Sequence, residues 1–370
     1  MQIATPLKRV MAATLAGVLA GGIVAQSALA CTGIMLTTTG GQTVNGRTLE
    51  FGMYIDTDIV MIPRGYAFTG ETPSGEGMAW TAKYAAVGAI AFGNLALIDG
   101  INEKGLAVGS FYFPSYAGYS QTTPENQAQS MGPADFPNWL VTSFETVDEV
   151  RAALEKGTVK IAPTLIPGFP PVPQPLHYVV YDKSGKSLVI EPMNGELTLF
   201  DNPLGVITNS PTFDWHMTNL RNYVALNPLN VPQVEVNDMK LEQLGQGTGL
   251  LGLPGDFTPP SRFVRAAAFS AMAVRSKTSQ EAALQVFHIL NNFDIPVGAA
   301  RAEEDGKTHF DYTMLTVARD PGTLRYFWKT YDDQTIRMVD MTTLDLDGTA
   351  VLKLSTEGRQ PIVDMSSDLK

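Results

Sequence analysis

The sequence predicts an α+β fold in which two mostly antiparallel β-sheets pack against each other with helices on the outer faces. Three observations predict it: short β-like runs parted by glycine turns dominate the first third, helical patterns follow residue 145, and the tail returns to strands. Strands, then helices, then strands again, with no hydrophilic linker between them, favour one layered domain over residues 31–370.

At the N-terminus, residues 1–30 carry the three parts of a secretory signal: Lys8-Arg9, an apolar run from Val10 to Ala25, and the small-residue site Ala28-Leu29-Ala30. The run is followed by Gln26-Ser27 without a basic flank, which disfavours a lasting membrane anchor. Cleavage after Ala30 would leave 370 − 30 = 340 residues, begin the mature chain at Cys31 and deliver it to the periplasm. A rival processing route lipidates a cysteine that follows a signal. That route usually wants leucine three residues before the cysteine, where this chain has Ala28, with its leucine late at Leu29.

The signal holds two of the 26 basic residues and none of the 37 acidic ones, so the mature charge is 24 − 37 = −13. Such a surface repels nucleic acid and anionic lipid. With 44% hydrophobic residues the chain can bury a full core. Its one cysteine excludes an internal disulfide, so a lone thiol in an oxidising compartment calls for a reason.

Strands are expected at Cys31–Thr37, Thr43–Phe51, Ile59–Ile62, Ala85–Phe92, Leu95–Ile98 and Leu106–Phe113. Ser120–Asp135 is polar and proline-bearing, hence a loop. Thr146-Val147-Asp148-Glu149 is a capping box that opens a helix, and Gly157 ends it. Six prolines between Ile161 and Pro175 mark an extended loop, a candidate lip of a binding site. Strands resume at His177–Tyr181, Ser187–Glu191, Glu196–Phe200 and Val206–Thr208. Helices are expected over Trp215–Leu226, Ser261–Ser276 and Gln280–Asn292, and closing strands at Tyr312–Ala318, Leu324–Tyr331 and Thr335–Asp340.

Placed first in the mature chain, Cys31 would carry a free α-amine beside its own thiol. A thiol with a pKa of about 8.5 needs a base or a cation to act as a nucleophile near neutrality. An α-amine titrating at about 7.7 to 8.0 can take the thiol proton and return it to a leaving amine. The bland alternative is a buried, inert cysteine. Position at the cleavage point favours the nucleophile.

Other stretches carry less. His177, His216, His288 and His309 show no ligand spacing and have no second cysteine to help them, so they read as structural or surface histidines and no metal is expected. Gly245-Gln246-Gly247-Thr248-Gly249 lacks the lysine of a phosphate loop and reads as a turn. No Gly-x-Ser-x-Gly elbow is present.

Several blocks together resemble the choloylglycine hydrolase and penicillin V acylase family of N-terminal nucleophile hydrolases. They are Cys31-Thr32-Gly33, Asn45-Gly46-Arg47-Thr48-Leu49-Glu50, Pro63-Arg64-Gly65-Tyr66 and Asn102-Glu103-Lys104-Gly105-Leu106-Ala107. Further along come Thr208-Asn209-Ser210-Pro211-Thr212-Phe213-Asp214-Trp215, Asn219-Leu220-Arg221-Asn222-Tyr223, Pro260-Ser261-Arg262-Phe263-Val264-Arg265 and Thr330-Tyr331-Asp332-Asp333. They follow the family's order over nearly all of the mature chain.

The resemblance implies a four-layer αββα sandwich and hydrolysis of a linear amide without metal or cofactor. Cys31 matches the family nucleophile and Arg47 the arginine beside the thiol, where a fixed guanidinium favours thiolate. Glu50 stands where the family commonly has an aspartate that binds the α-amine; its bland alternative is a solvated surface acid. Asn209 matches the asparagine facing the oxyanion, with the Tyr112 backbone amide as second donor, although asparagine at such a turn can be only a helix cap. Arg262 matches another arginine near the nucleophile; at a helix start, where the dipole disfavours a cation, it implies a specific partner rather than solvent.

Tyr112 is tyrosine in penicillin V acylases and more often asparagine in bile salt hydrolases, and Met53, Tyr54 and Phe113 are candidates for the same apolar pocket, or else plain core. The implied partner is a small-molecule amide of the penicillin V or N-acyl type, N-acyl homoserine lactones included, with conjugated bile salts second. A homotetramer is one assembly that the resemblance allows. An exported, non-catalytic binding or lipid-anchored protein is the alternative of another class.

Overall fold

Two alternating apolar patterns build the layers. The computed structural model describes residues 30–304 and 306–369, so the expected signal, apart from Ala30, lies outside the described residues. Among these, the first eight principal strands are β1 (Cys31–Thr37), β2 (Thr43–Phe51), β3 (Thr57–Ile62), β4 (Ala86–Ala91), β5 (Leu97–Asn102), β6 (Ala107–Tyr112), β7 (Leu176–Tyr181) and β8 (Ser187–Met193). Then come β9 (Glu196–Asp201), β10 (Ala300–Glu304), β11 (Lys307–Asp320), β12 (Arg325–Thr330), β13 (Arg337–Asp340) and β14 (Leu352–Ser355). The helices are α1 (Asp135–Ser143), α2 (Val147–Glu155), α3 (Phe213–Asn219), α4 (Pro259–Met272) and α5 (Ser279–Leu290).

One sheet runs β1-β2-β11-β12-β13, with β10 paired to β11; the other runs β9-β8-β7-β6-β5-β4-β3-β14. Neighbours in both are antiparallel. Ile59 and Met61 of β3 face the first sheet, in a core shared with Ile34, Val44, Leu315 and Val317. Val60 and Ile62, one step out of phase, face Phe136, Trp139 and Leu140 of α1. Burial on both faces explains why these antiparallel strands read as almost unbroken apolar runs. On the far side, α5 lays Val286, Phe287 and Leu290 on the first sheet and α4 adds Phe263 and Ala266. The order is therefore α4/α5, sheet, sheet, α1/α2: the αββα sandwich.

Local signals account for the helix ends. The Thr146 side chain accepts from Glu149 N and the Glu149 carboxylate accepts from Glu145 N, closing the predicted box one residue early on the return side. Thr278 caps α5 in the same way through Glu281 N. Pro259 and Pro260 open α4, two residues before the expected start, because proline suits a first turn whose N–H groups have no partner.

Some expectations are corrected. A hairpin, Ala67–Thr72 with Gly75–Thr81, escaped notice because its sequence is polar and glycine-bearing; its apolar side chains Phe68 and Trp80 stack on each other at 4.7 Å. The second half of the expected strand Leu95–Ile98 shifts forward, into β5. Val206–Thr208 forms only a single bridge, Ile207 to Gly33, rather than a strand. The helix expected to reach Leu226 stops at Asn219 and tightens into a 3-10 turn, Leu220–Tyr223. Within the expected loop Ser120–Asp135, Ser130–Met131 pairs with Lys160–Ile161, and α1 starts at Asp135 with Pro137 in its first turn.

Candidate active site

Cys31 begins β1, at the edge of the first sheet and 3% exposed. The free edge of β1 is met by Ile207, whose N–H and carbonyl exchange bonds of 3.0 and 2.8 Å with Gly33. Antiparallel counting from that bridge sets residue 209 opposite residue 31. Gly33 permits the approach: a Cβ there would lie 2.8 Å from Ile207 Cγ2 and 2.9 Å from Phe111 Cζ. Accordingly, Cys31 N donates to Asn209 Oδ1 at 2.9 Å.

Arg47 of β2 faces the layer between the sheets and is 1% exposed. Its Nη2 donates to Cys31 Sγ at 2.8 Å, while Nε and Nη1 are held by the carbonyls of Thr48, Ile98 and Ser110. Its plane also lies over the Phe111 ring, 4.6 Å from the centroid. These carbonyls fix the guanidinium without neutralising it, so its charge is free to favour the thiolate form of Cys31.

Arg262 in the first turn of α4 is fully buried. It donates to the Cys31 carbonyl, to Thr32 Oγ1 at 3.0 Å, to Asn209 Oδ1 at 2.7 Å and to the Phe257 carbonyl at 2.8 Å. Two donors on Oδ1 orient the Asn209 amide. Its Nδ2 therefore points away and donates to the Tyr112 carbonyl at 2.7 Å, and the amide carries a second hydrogen besides. The Tyr112 carbonyl thus anchors the Asn209 amide.

Glu50 lies beneath Cys31 and is fully buried, which removes the surface-acid alternative. Its backbone N–H bonds the Ala30 carbonyl at 3.0 Å, and its Oε1 accepts from Thr313 Oγ1 at 3.1 Å, where β11 bulges at Met314. Burial, against the pull of Arg262, pushes the Glu50 carboxyl up to about 7. The Cys31 nitrogen bonds Asn209 rather than Glu50.

With Ala30 still attached, the Cys31 nitrogen is a peptide amide and cannot act as a base. Burial pushes the thiol pKa up, opposed first by Arg47. Removal of Ala30 would convert that nitrogen into an α-amine.

An apolar cavity opens over Cys31 and Arg47, walled by Phe51, Ile98, Tyr112, Ile166, Phe169 and Leu176. The Phe51 ring meets Tyr112 and Phe169 edge to face at 6.4 and 5.4 Å. Ile166, Phe169 and Gln174 come from the proline-rich loop, which forms one wall. The pocket residues read from sequence are corrected here. Phe113 is fully buried and stacks on His177 at 4.3 Å; it shares its side of the strand with Phe111, so Tyr112 between them takes the cavity side. Tyr54 lines a separate groove with Tyr312 and Tyr331, and Met53 is not part of the cavity wall. Phe51 and Phe169 were missed because their nearness to Cys31 depends on pairing and on a loop far away in sequence.

Residues 31–353 match the family described as linear amide C–N hydrolases, choloylglycine hydrolase family. A bile salt hydrolase/transferase of Clostridium perfringens is 36% identical over 327 residues, 87% of this chain and 95% of that protein. Among solved structures, a conjugated bile acid hydrolase from Clostridium perfringens superposes with a TM-score of 0.77 at 34% identity, covering 90% of this chain and 99% of that one. Penicillin V acylase from Agrobacterium tumefaciens gives 0.70 at 25% identity, covering 88% and 91%.

Proposed function

The chain belongs to the choloylglycine hydrolase family of linear amide C–N hydrolases, and from that premise we propose that it is an acylase for penicillin V-like or other N-acyl amides. It is a cysteine N-terminal nucleophile amidohydrolase. The observation that carries the reading is the contact of Arg47 Nη2 with Cys31 Sγ at 2.8 Å on the floor of an aromatic cavity.

Export with removal of residues 1–30 frees the Cys31 amine in the periplasm; in support, the family match itself begins at Cys31. The amine takes the thiol proton, and the thiolate adds to the amide carbonyl. Asn209 Nδ2 receives the oxyanion, with the Tyr112 N–H as second donor, in an arrangement worth roughly 3 to 4 kcal/mol per donor. The Cys31 ammonium gives its proton to the departing amine. Water then adds to the thioester and releases the acid, restoring the thiol. The mature residues 31–370 act as one catalytic domain, and a homotetramer is one assembly open to it.

The edge-to-face rings of Phe51, Tyr112 and Phe169 leave a slot between aromatic surfaces, suited to a phenoxyacetyl group or a linear acyl chain. A second reading, conjugated bile salt hydrolysis, is favoured by the 36% identity to the Clostridium perfringens enzyme. Mass-spectrometric product analysis of protein beginning at Cys31, incubated with penicillin V, glycocholate and a long-chain N-acyl homoserine lactone, decides between them. Release of 6-aminopenicillanic acid or homoserine lactone is expected. Release of glycine alone would replace the first reading by the second, and no product from any of the three would overturn both.

A further inference from the structure

Past the single bridge at Ile207, the Thr208–Asn209 segment has no strand ladder to hold it, and two buried histidines meet its consecutive carbonyls. His216 of α3 has Nε2 2.9 Å from the Asn209 carbonyl oxygen and stacks on Phe263 with centroids 4.6 Å apart. A carbonyl only accepts, so Nε2 carries the hydrogen; Nδ1 has no partner among the described residues. His177 of β7 reaches from the other sheet. Its Nε2 lies 3.1 Å from the Thr208 carbonyl oxygen, and its ring is stacked on Phe113. Its Nδ1 lies 3.3 Å from Glu191 Oε1, which also accepts from Phe213 N at 2.9 Å. That second bond ties the start of α3, and hence His216, to the same carboxylate.

We propose that His177 and His216 are positioning residues, clamping the Thr208 and Asn209 carbonyls so that the Asn209 amide is held on the Cys31 nitrogen and on the substrate oxygen. The clamp rests on the hydrolase reading above. A simple core role would need only the ring: Phe263 and Phe113 stack as well on a phenyl group. The nitrogens answer a different need. Asn209 has two side-chain torsions, and its amide meets three partners, Cys31 N, Arg262 and the Tyr112 carbonyl, at 2.7 to 2.9 Å. A backbone drift of about 0.5 Å would spoil such an arrangement.

A double-mutant cycle tests this, using kcat and KM of protein beginning at Cys31 on an amide that the wild type cleaves. His216→Phe keeps the stack and removes the donor, and is expected to lower kcat by about tenfold with KM within about twofold. His216→Gln, which keeps a donor, is expected to recover much of that loss. In an Asn209→Ala background, His216→Phe is expected to cost less than about twofold, because the group it positions is gone. His177→Phe is expected to follow the same pattern. Equal losses in both backgrounds, or no recovery with glutamine, would overturn the clamp while leaving the hydrolase standing. If His216→Phe does not fold, His177→Phe, which also keeps a ring and removes the donor, is run through the same cycle, and additivity there overturns the clamp. A wild type with a free Cys31 terminus and no turnover of any amide would instead overturn the hydrolase reading, and the clamp with it.

Discussion

Arg47 Nη2 donates to Cys31 Sγ across 2.8 Å from the neighbouring strand, although Arg47 is opposite Gly33 and Cys31 opposite Leu49. The long arginine side chain reaches back along the ladder, and backbone carbonyls of both sheets lock its head. The thiol therefore meets a cation whose position does not depend on substrate.

Replacing Arg47 by methionine keeps the stem and removes that charge. The expected result is a fall in kcat of about a hundredfold or more and a shift of Cys31 alkylation to higher pH, since thiolate is the reacting form. Rates of iodoacetamide labelling across pH check it; an unmoved profile would show that Arg47 does not set the thiolate.

Cys31→Ala is expected to abolish turnover with the fold retained, and Cys31→Ser to lose most of it, because a hydroxyl is the poorer nucleophile. A residue left before Cys31 is expected to inactivate as well, by turning the amine into an amide. Turnover by a chain with an intact Ala30, verified by intact mass, would contradict an α-amine base.

Asn209→Ala is expected to lower kcat by about 10²- to 10³-fold, the usual cost of one oxyanion donor. A loss confined to KM, measured by initial rates, would demote Asn209 to ground-state binding.

Glu50 makes stability depend on pH in a definite sense. Its carboxyl is pushed up to about 7 in the folded chain from an ordinary 4.5, so between those values the folded state holds the proton that the unfolded state has lost. This contribution is complete below pH 4.5 and is lost as pH rises through about 7. At about 1.4 kcal/mol per unit, the shift from 4.5 to about 7 corresponds to on the order of 3 kcal/mol. Glu50→Gln is therefore expected to gain stability relative to wild type between pH 5 and 8. Parallel denaturant midpoints for the two proteins across that range would count against an ionisable, desolvated Glu50.

Phe169→Ala widens one wall of the aromatic cavity. The expected effect is a loss of kcat/KM for phenoxyacetyl amides worth about 1 to 3 kcal/mol, with less loss for bulkier acyl groups. An equal loss for all acyl groups, in a panel of amides, would place Phe169 outside the acyl site.

The sequence by itself determined much of this protein, because several of its signals are local. Short β-like runs bounded by glycine turns marked β1 and β2 to the residue, and a threonine with a glutamate three places on marked the start of α2. Cys31 stood out because it directly follows the expected signal. Tertiary structure decided what depends on partners distant in the chain. One bridge, from Gly33 to Ile207, brings Asn209 to Cys31 across a separation of 178 residues. Glu50 is buried rather than solvated because β2 is covered on both sides, by β1 and β11 within the sheet and by α5 on its face. The cavity wall was misread at Phe113 and missed at Phe169 for the same reason: which face of a strand or loop meets Cys31 is fixed by its neighbours. Two histidines that carried no motif became legible only when folding set their nitrogens against carbonyls that no strand pairs.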